Sequence, residues 1–120
     1  MKDARRAAPN GPGYSLGFHP AASKELLHLE PRSQKRFRRA IDELEIDPLT
    51  ARSGCDVKKV ADLPGASTLH RLRVGRERAC YAVVTPAREV WMLLFDDREV
   101  GYRRMVATAE KRFRGLPTKG

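Results

Sequence analysis

Apolar positions along this chain change period several times, and the changes mark out its elements. Tyr14, Leu16 and Phe18 alternate with other residues, the period-two signature of a short strand. Pro20 suits the first position of a helix, and Ala22, Leu26 and Leu29 then recur at helical spacing to about residue 30, where Pro31 breaks the run. The clearest helix is predicted over residues 32–47, because Phe37, Ala40, Ile41 and Leu44 fall at i, i+3, i+4 and i+7 and form one apolar stripe. Asp47 precedes Pro48, which disfavours further helix. Residues 48–56 read as a loop, and residues 57–63 as a short edge strand or turn closed by Pro64 and Gly65.

Residues 69–81 are predicted to form a β-hairpin with a basic face. Leu72 and Val74 alternate with Arg71 and Arg73, Gly75 supplies a turn, and the run from Arg78 to Val84 is rich in strand-forming side chains. Loop parity decides where Arg78 points, since residues opposite each other in an antiparallel pair share a face. An odd loop would bury Arg78 among Leu72 and Val74, at a cost of several kcal/mol for an unpaired guanidinium. The even register is therefore expected, with Arg71, Arg73 and Arg78 on one face and Leu72, Val74, Ala79, Tyr81 and Val83 on the other.

The continuous apolar run of residues 90–95 suits a strand covered on both faces, and it is expected to be the central one. After Gly101, Tyr102, Met105, Val106, Ala109 and Phe113 recur at helical spacing, with Arg103, Arg104, Lys111, Arg112 and Arg114 expected on the opposite side. The order is strand, two helices, several antiparallel strands and a terminal helix, an α+β chain of the form β-α-α-β-β-β-(α).

Charge narrows the choice of partners. With 24 Lys+Arg against 15 Asp+Glu, the formal net charge of +9 favours an anionic partner: nucleic acid, an acidic protein or an anionic surface. In the long helix the bases Lys35, Arg36, Arg38 and Arg39 come early and the acids Asp42, Glu43 and Glu45 late, against the preference of the helix dipole. A solvated face is the favoured reading of that turn, with a binding role as the alternative. Residues 1–13 are expected to be a flexible basic tail, residues 14–115 one domain, and residues 116–120 a disordered tail.

No stretch approaches the roughly 18 apolar residues of a membrane span, and the N-terminal residues lack the apolar segment of a secretory signal. With Cys55 and Cys80 far apart and outside any CxxC pattern, two reduced thiols in a cytoplasmic protein are expected. His19 is expected to cap the first helix, His28 to lie on its surface, and His70 to point away from Arg71. Asp96, Asp97 and Glu99 could suggest a metal site, but adjacent acids on a strand point to opposite faces, so no metal is expected. Trp91 is expected to pack rather than to stack on a base.

These words meet a known pattern. Glu25-Leu26-Leu27, Asp47-Pro48, Lys58-Lys59-Val60, Leu63-Pro64-Gly65, Arg71-Leu72-Arg73-Val74-Gly75 with Arg78 and Tyr81, and Asp97-Arg98 before Tyr102 resemble the RelE/ParE toxin superfamily over residues 14–102. The resemblance implies a RelE-like fold, an antiparallel-rich twisted sheet with the two N-terminal helices packed on one face. It implies the toxin of a type II toxin-antitoxin system, a monomer on its own and a hetero-oligomer with a cognate acidic antitoxin. RelE-like members cut mRNA on the ribosome; ParE-like members poison DNA gyrase instead.

For the RelE-like branch, the implied catalytic positions are Arg71, Arg73, Arg78, Arg98 and Tyr102, with Lys58, Lys59, Arg76 and Arg103 holding RNA phosphates. The chain departs from the pattern at Glu77, Asp97 and Gly101, and the two acids would neutralise part of a cationic site. Metal-independent cleavage needs a base for the 2′-hydroxyl and fixed cations for the phosphorane, and no cofactor. Arginines supply the cations but stay protonated, so Tyr102 or Lys59 is expected to act as base.

Overall fold

The computed structural model describes residues 13–96 and 101–116. Its elements are β1 (Ser15–Phe18), α1 (Pro20–His28), α2 (Pro31–Ile46), β2 (Asp56–Leu63), β3 (Ser67–Val74), β4 (Glu77–Val84), β5 (Glu89–Asp96) and α3 (Tyr102–Arg114). The five strands make one sheet in the order β1-β5-β4-β3-β2, in which β1 runs parallel to β5 and every other pair is antiparallel. Of the expected tails at residues 1–13 and 116–120, residues 1–12 and 117–120 lie outside the described residues, while Leu116 packs against the second apolar cluster.

One boundary and one place in the sheet differ from the sequence reading. Pro31 does more than end α1: it occupies the first turn of α2, where its missing N–H costs nothing. Gln34 holds the joint by donating to the carbonyls of Leu27 and Leu29. The strand of residues 90–95 is interior, as its apolar run demands, yet β4 holds the middle place because β1 adds outside β5. Residues Ala79–Val83 of β4 are buried throughout and satisfy the same two-sided demand.

Both faces of the sheet are covered. On one, α1 and α2 bring Ala22, Leu26, Phe37, Ile41 and Leu44 against Leu72, Tyr81, Val83, Met92 and Phe95. Phe37 meets Phe95 edge to face, with ring centroids 5.1 Å apart. On the other, Met105 and Ala109 of α3 pack on Leu69, Cys80, Ala82, Leu93 and Leu94. Trp91 belongs to this second layer, and its ring lies so close over Gly17 that a Cβ there would come within 2.6 Å of it.

Irregularities in pairing assign side chains to faces. Between β4 and β5 the register shifts at Cys80/Tyr81, so that Cys80 faces Leu94 and Tyr81 faces Met92. The extra residue lets Leu93 and Leu94 both lie under α3 while Phe95 stays beneath α2. Asp96 is thereby set opposite Arg78. A second shift between Lys59 and Ala61 in β2 turns Ala61 and Leu63 toward the α3 side.

Candidate functional site

The hairpin forms with an even, two-residue loop, pairing Val74 with Glu77 and Arg73 with Arg78. Gly75, first in that loop, has a φ of 64°, which a type II′ turn requires and side-chain-bearing residues disfavour. Arg71 stands opposite Cys80 and beside Lys58 of β2. The pairing thus collects Lys58, Arg71, Arg73 and Arg78 on the α3 side, while Leu72, Ala79, Tyr81 and Val83 enter the core on the other.

The cationic face carries its own acids, which the sequence did not reveal as partners. Arg71 donates to Asp56 at 3.1 Å and Arg78 to Asp96 at 3.3 Å. Side chains of Arg78 and Asp96 are each 14% exposed, so that pair sits in a partly desolvated layer where fixed charges act strongly, whereas Asp56 is 56% exposed and its pair with Arg71 is open to solvent. Arg71 keeps one buried donor, Nε, without a partner. Arg73 is exposed and makes no ion pair among the described residues.

Lys59 stands apart from this group. Its register partner is His70, whose ring stacks on Tyr81 in the opposite layer, and its ammonium pairs with Asp62 at 2.7 Å. A base at Lys59 would have to act through the sheet. Burial, aided by the Lys59 charge, holds the His70 imidazole down at about 4, and its Nε2 meets the Thr68 hydroxyl at 2.8 Å. His70 is a neutral core residue that points away from Arg71, as expected. Tyr81 donates to the Pro48 carbonyl at 2.6 Å, and burial pushes its phenol far up.

Tyr102 opens α3 immediately after Gly101 and is 48% exposed, with Arg103 exposed beside it. From Asp96 to Tyr102 is six residues, a reach of at most about 20 Å, so the phenol is tethered to the strand end that holds Arg78. Arg76 is exposed in the hairpin turn. Arg98 and Asp97 lie outside the described residues.

The remaining candidates take structural places. His19 caps α1 by accepting from the Ala21 amide at 3.0 Å, helped by burial that lowers its proton affinity. His28 is exposed and meets the Lys24 carbonyl. Cys55 and Cys80 are buried free thiols, and burial raises both, Cys80 to about 12. Among the described residues no group of three or more His, Cys, Asp or Glu gathers to hold a metal, and no helix is long and apolar enough to cross a membrane. Arg112, expected on the outer face of α3, turns inward and forms a two-pronged pair with Glu25, both contacts at 2.8 Å.

No family model matches the chain. It is 27% identical over 90 residues to a toxin designated RelE1 from Methanocaldococcus jannaschii, covering 75% of this chain and 96% of that protein. The RelE–RelB complex of Pyrococcus horikoshii contains a chain with 27% identity and a TM-score of 0.64, over 74% of this chain and 99% of its own length. A doubly substituted RelE of Escherichia coli in the free state shares the fold with a TM-score of 0.61 at 21% identity, over 83% and 97% of the two chains. By sequence and by fold together, the chain is similar to toxins of the RelE-like superfamily and shares their fold.

Proposed function

We propose that this protein is the toxin of a type II toxin-antitoxin pair and that it cuts mRNA on the ribosome without a metal. The observation that carries this reading is the register of the hairpin. Arg73 directly opposite Arg78, with Arg71 and Lys58 alongside, gives one face four cations spaced for successive phosphate oxygens.

In the proposed reaction the 2′-oxygen attacks the neighbouring phosphorus while the bond from phosphorus to the 5′-oxygen breaks. The products are a 2′,3′-cyclic phosphate and a free 5′-hydroxyl. The phenolate form of Tyr102, exposed at the positive end of α3, takes the 2′-proton and becomes the phenol. Arg71 and Arg73 hold the extra negative charge of the phosphorane, and Arg78 steadies the leaving oxygen, which solvent protonates. Arg98 is proposed to join them, while Lys58, Arg76 and Arg103 grip flanking phosphates. The geometry favours Tyr102 over Lys59 as base, because Lys59 belongs to the opposite face.

The partner follows from the family, whose archaeal member was solved as a RelE–RelB complex. A cognate antitoxin is proposed here too, with an acidic segment that folds on the basic face. The ion pairs Arg71–Asp56 and Arg78–Asp96 favour one second reading, a ParE-like toxin that poisons gyrase, because they neutralise part of the cationic face.

Mapping mRNA 5′ ends in a translation extract separates the two. Codon-register cuts should appear with the intact chain and fall by roughly 10²–10³-fold in Arg78→Ala or Tyr102→Phe. Intact mRNA together with gyrase-dependent DNA breaks would overturn the nuclease.

A further inference from the structure

A second cationic feature lies beyond the arginine face. Where α2 passes the tip of the hairpin, a cleft of about 660 Å³ opens between the helix, the loop before β2 and the turn at Gly75. That size lies within the roughly 300–1,000 Å³ of small-molecule sites. Its cations are Arg36 and Arg39 of α2, Arg52 of the loop and Arg73 of β3; its acids are Glu43 and Asp56.

Both acids are already engaged within the fold. Arg52 donates to the Glu43 carboxylate at 3.3 Å and to its carbonyl at 3.0 Å, and Arg71 takes Asp56. Arg36, Arg39 and Arg73 are exposed and have neither an ion pair nor a side-chain hydrogen bond among the described residues. Two open guanidinium forks, those of Arg36 and Arg39, therefore border a cleft whose negative charges are spent, and Arg73 lines it from the strand. Ala40 and Val74 provide an apolar floor that suits the face of a base. The Arg36 guanidinium also lies over the turn, 3.3 Å from where a Cβ on Gly75 would stand. Arg73 belongs at once to this cleft and to the cationic sheet face.

We infer that the cleft is a second nucleotide subsite, which takes a base and its two flanking phosphates from the same single RNA strand that crosses the arginine face, a few nucleotides from the cut. This rests on the nuclease reading of that face and extends it around the hairpin tip. The same subsite accounts for the inverted charge order of α2, which puts arginines in the first turns and leaves the helix dipole uncompensated at both ends. An RNA strand is favoured over an acidic peptide by the apolar floor and by the shared residue Arg73.

The test uses the full chain and uncleavable 2′-O-methyl RNAs of about three and about twelve nucleotides, spanning the usual site sizes. The double variant Arg36→Ala/Arg39→Ala should weaken the longer RNA about tenfold and lower its salt slope by about 1.4, two phosphate contacts at about 0.7 each. It should leave the shorter RNA unchanged. Lys35→Ala/Arg38→Ala removes the same charge from exposed positions outside the cleft and should leave the slope as it was.

Equal behaviour of the two double variants overturns the subsite. So does a poly-glutamate peptide whose binding is lost in Arg36→Ala/Arg39→Ala while RNA binding is kept, because it assigns the cleft to an acidic protein segment. Arg78→Ala separates this inference from the reading beneath it. If Arg78→Ala weakens both RNAs and the cleft variant neither, the nuclease face stands and the subsite falls; the opposite pattern keeps the cleft as a nucleotide site and removes the nuclease face.

Discussion

His70 shows how a single position divides the two faces of the hairpin. It neighbours Arg71 in sequence, yet its ring stacks on Tyr81 at 5.2 Å while Arg71 reaches across to Asp56. Alternation along a strand is enough to predict that separation. The consequence for stability is not visible in sequence, because it depends on burial. The unfolded imidazole titrates near 6.5 and the folded one near 4, so the unfolded chain binds the extra proton first. This contribution is complete above about pH 6.5 and is lost progressively down to about pH 4, up to about 3 kcal/mol in all. Melting curves of the intact chain should therefore fall more steeply across that window than those of His70→Phe, which keeps the stacked ring without the titration. Parallel curves for the two proteins would show that His70 does not carry the acid sensitivity.

At the scale of elements, α3 is the piece whose docking rests on few contacts. Its buried residues are Met105 and Ala109, and its polar anchor is Arg112, which grips both oxygens of Glu25 and the Leu93 carbonyl. Glu25 also accepts from the Phe95 amide at 3.0 Å, so one carboxylate ties α1, β5 and α3 together. Helical periodicity located α3 and its apolar stripe, but assigned Arg112 to the solvent side with the other bases. Pattern cannot find such a pair, since its partners lie 87 positions apart. Glu25→Ala should cost about 1–3 kcal/mol, since it leaves a guanidinium and an amide without their acceptor. Hydrogen exchange should quicken in residues 102–114 ahead of the sheet. Unchanged protection in α3 would show that the apolar contacts suffice to hold it.

For the whole molecule, the net charge of +9 is spread unevenly, and its distribution matters more than its sum. Cations collect around the hairpin, on the sheet face and in the cleft by α2. Affinity for single-stranded RNA should then fall with salt at a slope near −3, about 0.7 for each of roughly four phosphates held. A slope close to zero in a salt titration would argue for a protein surface as the target instead.

Much of this arrangement was written in local chemistry. The alternation of Leu72 and Val74 with Arg71 and Arg73, the turn-forming Gly75 and the cost of burying Arg78 determined the hairpin, its even loop and its basic face. Periodicity likewise determined the three helices, because an amphipathic stripe is a property of neighbouring residues. What only the tertiary structure decided concerns residues distant in the chain. It paired Asp56 with Arg71 and Asp96 with Arg78, set Lys59 on the far side of the sheet, put β4 in the middle and opened the cleft beneath Arg36 and Arg39. Register shifts and packing across layers produce those outcomes, and a one-residue bulge reverses a face without leaving a mark in the hydrophobic pattern.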